Sequence, residues 1–141
     1  MKKILVIGLC CAATLPVDAV AQARRAAPVK VTVRITSPRN GDTVTAPVTI
    51  KLAATGVRIV PATIEEAGTG HHHLFVDHDF VWLNDTIPSG SPGIYHLAKG
   101  ETQWTLDSLR PGTHRVIAVI ADYRHIPLNP LVADTVTFVV K

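Results

Sequence analysis

Gly70-His71-His72-His73-Leu74-Phe75-Val76-Asp77 sets three adjacent imidazoles at the mouth of an apolar stretch. A neutral imidazole is a good ligand for transition metals, and its ordinary pKa near 6.5 also makes it a pH-responsive group. All seven histidines of the chain lie between His71 and His125, so its middle concentrates metal-capable side chains that neither end shares. In an extended segment alternate side chains share a face. His71, His73, Phe75 and Asp77 would then project one way, and His72, Leu74, Val76 and His78 the other. The Cα atoms of His71 and His73 would stand about 6.5–7 Å apart, a span over which two rings can converge on one ion at about 2.0–2.1 Å from each nitrogen. His72 falls to the opposite face and reads as structural. Further ligands must come from elsewhere, and the candidates are His96 in Tyr95-His96-Leu97, His114 at the start of a strand, and His125 close to Asp122. Asp77 and Asp122 are the carboxylates placed to orient a ligating imidazole from behind.

The bland alternative is that each histidine orders a turn, bonds a loop carbonyl or faces water. For a single residue that reading is the stronger one. Adjacency changes the balance, because neighbouring imidazoles repel when protonated and gain little from one another otherwise. Both cysteines, Cys10 and Cys11, and the one methionine, Met1, lie in a segment expected to be removed. An imidazole and carboxylate donor set without sulfur suits Cu(II) or Zn(II) better than Cu(I), and the blue-copper ligand set cannot be assembled. Catalysis has less behind it. Ser37, Ser89, Ser91 and Ser108 occupy ordinary loop positions without a Gly-x-Ser-x-Gly elbow, and no thiol nucleophile is left, so the chain is read as a non-enzyme. Trp82 and Trp104 could stack on a sugar, but in such strands they belong more often to a core.

Met1-Lys2-Lys3 followed by an apolar run to about Pro16 has the form of a signal peptide, with Ala19-Val20-Ala21 supplying the cleavage pattern. The run is shorter than the roughly 20 residues that span a bilayer, so no membrane span is expected. Neither cysteine follows the small residue that lipid attachment needs. The chain divides into a signal peptide at 1–21, a flexible segment at 22–28 and a single domain at 29–141, placed in the periplasm or outside the cell. The full sequence has a formal charge of +3, and losing Lys2, Lys3 and Asp18 lowers it by one. Basic residues are scattered singly after Arg24-Arg25, so no nucleic-acid partner is expected.

Val29 to Thr36 alternates apolar and polar residues, and Val48, Ile50 and Leu52 do so against Thr49 and Lys51, which predicts two half-buried strands. Ser37 to Asp42 reads as a turn. A short strand is expected around Arg58 and a longer extended run over His72 to Leu83. Others are expected over 101–106, 114–121 and 132–140, with a loop between the Arg58 strand and the histidines and a second at 88–93. About seven short strands and no long helix predict an all-β, immunoglobulin-like antiparallel β-sandwich, with a cupredoxin-like barrel as the alternative.

The Gly-His-His-His-Leu-Phe-Val-Asp run, His96, the Leu109-Arg110-Pro111-Gly112-Thr113-His114 block and the Asp122-Tyr123-Arg124-His125-Ile126-Pro127 block together resemble the bacterial secreted domain-of-unknown-function family 4399. The resemblance covers about Ser37 to Val140. It implies an exported single-domain β protein and brings no activity with it. The family pattern carries a further histidine where this chain has Leu128, so a ligand at that position would be missing here. Three functions remain in view: a site for Cu(II) or Zn(II), an envelope module binding a protein or glycan partner without metal, and a pH sensor.

Overall fold

The computed structural model describes residues 30–141. The expected signal peptide, the segment at 22–28 and Val29 lie outside the described residues. Nine strands follow in order: β1 (Thr32–Ser37), β2 (Thr43–Val44), β3 (Val48–Thr55), β4 (Arg58–Ile59), β5 (Thr69–Val76), β6 (Ile94–His96), β7 (Gln103–Leu106), β8 (Gly112–Ala121) and β9 (Ala133–Val140). Seven of them answer to the predicted strands, the short one around Arg58 included, while β2 and β6 are additions that the sequence does not signal. Among the described residues no helix is long and apolar enough to cross a membrane.

The fold is an all-β sandwich. One sheet has the order β1-β3-β7, and the larger has the order β2-β9-β8-β5-β4 with β6 also paired to β5. The larger sheet curls part of the way toward a barrel. Most pairings are antiparallel, but β2 runs parallel to β9 and β4 parallel to β5. Alternation explains the core. Val33 and Ile35 of β1 and Val48, Ile50 and Leu52 of β3 meet Leu74 and Val76 of β5, Val116, Ala118 and Ile120 of β8, and Val136, Phe138 and Val140 of β9. Removing that apolar surface from water is the main stabilising term for a domain of this size.

The extended run predicted to reach Leu83 instead stops at Val76, and it starts earlier, at Thr69. Asp77 takes a left-handed backbone conformation, φ 53°, which an Asp tolerates better than most residues and which ends the pleat. The apolar residues beyond it do not extend the strand. Phe80 and Trp82 fold back with Ile87 and Ile94 over the outer face of β5 and β8, where Phe75, Val119 and Ala121 form a second apolar cluster. Consequently β5 is covered on both faces, and all eight of its residues are buried.

Gly70 makes the close approach at the start of β5 possible. A Cβ there would meet Ile120 Cγ2 at 2.8 Å and the carbonyl oxygen of Ala121 at 2.9 Å. The glycine that looks like a strand breaker in the sequence is needed because β8 passes too near for any side chain.

Candidate metal centre

The pairing of β5 fixes where its imidazoles point. His72, Leu74 and Val76 lie opposite Ile120, Ala118 and Val116 of β8, on the face that meets the other sheet. His71, His73 and Phe75 lie opposite Ala121, Val119 and Ile117, on the outer face beneath the covering segment. On its other edge β5 pairs with β6, and there His73 stands directly across from His96. Cross-strand partners share a face, so His96 joins His71 and His73. Its ring stacks on that of His73 with centroids 4.9 Å apart and planes 10° from parallel.

His125 arrives from the turn that follows β8. Asp122 organises this turn through nearly every polar atom it has. Its Oδ1 accepts from the backbone N–H groups of Arg124, at 2.8 Å, and Ile126, at 3.0 Å. Its backbone carbonyl accepts from His125 N–H, its own N–H donates to the Ile126 carbonyl, and Arg124 clamps Oδ2 through Nε and Nη2. Held this way, His125 sits at φ 64°, a conformation a β-carbon disfavours and one that a surrounding network has to maintain. Its ring comes back over the sheet, with its centroid 4.6 Å from that of His96 and 5.0 Å from that of His71.

Four imidazoles therefore converge, each offering a nitrogen, and all four nitrogens lie within 4.8 Å of one another. The Nε2 atoms of His71 and His73 are 3.0 Å apart, and those of His96 and His125 are 3.2 Å apart. Around a tetrahedral ion with bonds of about 2.0–2.1 Å, neighbouring nitrogens would be about 3.3–3.4 Å apart. These two pairs need only a small opening to fit, while the wider separations among the four nitrogens, up to 4.8 Å, would have to close around the ion. Without an ion, one ring of each pair must carry its proton on Nε2 and donate it to the other.

Burial favours the neutral form of His71, His73 and His96. It is the largest cause holding His71 down to about 4, helped by the nearby His96, His125 and His72 and opposed by Asp122. His73 is pushed to about 2, again first by burial and then by the other histidines. His96 is lowered by burial and by His125, against the pull of Glu101. Neutral imidazole is the form that ligates. His73 Nδ1 is buried and has no hydrogen-bond partner among the described residues, so packing and its stack with His96, rather than the usual acceptor behind a ligand, set its orientation.

His72, whose ring lies on the core face, is fully buried, and neither ring nitrogen has a partner among the described residues. Burial alone lowers it to about 4. It reads as structural from strand alternation, and the structure adds that it is a buried polar group in an apolar core.

His114 and Asp77 lie away from the cluster. His71 is opposite Ala121 at one end of β8, while His114 is seven positions back along the strand, about 23 Å at the usual rise. His114 Nδ1 donates to Asp77 Oδ2 at 2.7 Å, its Nε2 donates to the Arg110 carbonyl at 2.8 Å, and Asp77 Oδ1 accepts from Arg115 N–H at 2.9 Å. Asp77 thus orients a histidine, but not one of the four. Two bonds that both need an N–H call for the imidazolium. Burial lowers the His114 pKa, but the Arg110 carbonyl and Asp77 together outweigh it and raise the net value. A raised value means the pair stabilises fully below about pH 6.5, the unfolded value, and loses that contribution as pH rises through the folded value. Asp77→Asn is expected to cost about 1 kcal/mol at pH 6, given the half-exposed carboxylate, and clearly less at pH 9. Urea denaturation at the two pH values measures it, and equal losses would count against the charged pair.

The candidates from the sequence thus sort by geometry: His71, His73, His96 and His125 come together, Asp122 shapes the turn that carries His125, and His114 with Asp77 form a separate clasp. Glu101, which the motifs do not single out, lies near enough to His96 to act on its charge.

An all-β sandwich with a cluster of four imidazoles on the outer face of its larger sheet is the class of protein these features define. The chain belongs to the family described as Domain of unknown function (DUF4399), whose profile matches residues 50–141. No curated protein matches it in sequence. Among solved structures it is similar to the crystal structure of an engineered protein, at 17% identity and TM-score 0.50, over 82% of this chain and 21% of that one. It also matches an endo-beta-1,4-mannanase from Thermotoga petrophila at 16% identity and TM-score 0.45, over 79% of this chain and 20% of the enzyme. This chain spans about a fifth of either protein, and the first likeness speaks for the fold alone.

Proposed function

We propose that this is an exported protein that binds one transition-metal ion, Cu or Zn, through His71, His73, His96 and His125. The observation that carries the reading is the convergence of four imidazole nitrogens within 4.8 Å. They come from three separate elements, and the two on β5 are almost wholly buried. Burying that much polar surface costs free energy unless it is satisfied, and an ion would take up one nitrogen of each ring at once. Four protein ligands leave no vacant position for a substrate, which favours a binding or structural role over catalysis. The basic and apolar N-terminal sequence supports export.

Tag-free mature protein recovered from the periplasm is expected to carry close to one equivalent of Cu or Zn by elemental analysis. His71→Ala combined with His73→Ala is expected to abolish that content, and His114→Ala to leave it unchanged. Protein that is isolated without metal and takes up neither Cu(II) nor Zn(II) in calorimetry would overturn the reading. So would capture of an envelope protein or glycan that the cluster variants lose and a chelator leaves untouched.

A further inference from the structure

The mutual arrangement of the four rings says which kind of ion suits them. Their six centroid separations are 4.8 Å (His71–His73), 4.9 Å (His71–His96), 5.0 Å (His71–His125), 4.9 Å (His73–His96), 5.7 Å (His73–His125) and 4.6 Å (His96–His125). Four points in a plane cannot be so nearly equidistant. In the most even planar case, a square, the diagonals exceed the edges by a factor of about 1.4, and a tetragonal ion imposes that pattern on its ligands. The spread here, from 4.6 to 5.7 Å, is too narrow for any plane. His71, His73 and His96 rise from one sheet face, and His125 comes back over them from a turn, so the rings occupy the corners of a distorted tetrahedron.

The scaffold resists a change to a planar set. His71 and His73 belong to a strand buried on both faces and paired along both edges. His96 is bound in register to that strand, and the Asp122 network fixes His125. Bringing the four ring centroids into one plane would work against the register of β6 and the turn after β8.

We infer that the pocket shifts preference toward a closed-shell d10 cation, Zn(II) or Cu(I), and away from the tetragonal ions Cu(II) and Ni(II), relative to an unconstrained imidazole site. The inference rests on the metal-binding reading above and narrows it. A d10 ion has no electronic preference for a plane and accepts tetrahedral imidazoles without loss, whereas Cu(II) forfeits part of the advantage that places it above Zn(II) in the usual affinity order. The oxidation state of bound copper would therefore be a property of the pocket.

Full mature protein stripped of metal and loaded with Co(II) is expected to show the intense visible bands of a tetrahedral ion. In competition at equal free concentrations Cu(II) is expected to exceed Zn(II) in affinity by less than about tenfold, well short of an unconstrained imidazole site. Cu(II) forced into the site is expected to give an EPR spectrum with the small parallel hyperfine splitting of a non-planar ligand set. An anaerobic competition for Cu(I) against bicinchoninate tells the two d10 ions apart, and tight binding of either agrees with the inference. Removing the overhead corner with His125→Ala, a partly exposed position, is expected to shift preference back toward Cu(II). Axial, tetragonal EPR, or a Cu(II) advantage over Zn(II) of more than about tenfold, would overturn the inference while leaving metal binding intact. Failure to bind any of these ions would overturn both.

Discussion

Metal-free protein is expected to lose most of its stability between pH 6.5 and pH 4, in one transition that follows the β5 histidines. His71 and His72 are each lowered to about 4, and His73 further, with burial the first cause in all three. Their folded-state values lie below the unfolded value near 6.5, so within that window the unfolded chain binds more protons than the folded one. Stability is then fully present above about pH 6.5 and falls with pH through the folded values. For His72, whose own shift comes from burial, it corresponds to about 3 kcal/mol once pH is well below 4. That is a large share of the 5–15 kcal/mol typical of a domain. Urea denaturation followed by tryptophan fluorescence at stepped pH measures the loss. His72→Leu removes one of the titrating groups and two buried unpartnered nitrogens, and it should be more stable than the parent at pH 5 by at least 1–3 kcal/mol. A parent whose stability is flat from pH 7 to pH 4.5 would contradict the burial of these rings. With the site filled, an ion at a thousand times its dissociation constant adds about 4 kcal/mol, so the acid transition should move to lower pH in the presence of Zn(II).

Gly70→Ala is the second substitution with a large expected effect. The added methyl would stand 2.8 Å from Ile120 Cγ2 and 2.9 Å from a backbone oxygen of β8. A flexible side chain could swing aside, but the Ala121 carbonyl belongs to the sheet and cannot. Overpacking at such a point costs about 1–3 kcal/mol, and the upper end is expected here. Because Gly70 precedes His71, relief by moving β5 off β8 also displaces a ligand, so zinc affinity should drop at least tenfold along with the urea midpoint. Gly41→Ala is the control. It has a positive φ but nothing within 4 Å, so it should cost only about 1 kcal/mol of backbone strain and leave metal affinity unchanged. Equal effects from the two substitutions would discredit the clash.

The parts of the site that depend on local periodicity are legible in the sequence. Alternation along the chain separates His71 and His73 from His72, and that division holds in the structure because β5 is a regular strand. The same rule finds β1 and β3 from Val33, Ile35, Ile50 and Leu52. It says nothing about which distant histidine completes the set. His96 is placed by the register of β6, a strand of only three residues after a long connection, and three residues are too few to show a period. His114 and His125 look equivalent in sequence, each near a block of turn residues, yet they lie on opposite ends of β8. Residues 78 to 83 mislead for a different reason. Their apolar and aromatic content suits a strand, but it serves to cover one, and only the left-handed backbone at Asp77 separates the two outcomes.

β6 is held to the rest of the fold by three residue pairs, and the segment before it carries Val81 and Leu83 at the surface, 68% and 56% exposed. A rim this short ordinarily opens far more often than the central strands. An ion bridging His96 to His71 and His73 would act as a rivet through that rim, and its amides would then exchange with solvent as slowly as those of β8. Site occupancy would be recorded as the lifetime of a surface, so a full and an empty molecule of nearly the same shape would differ in how long their outer loop stays closed.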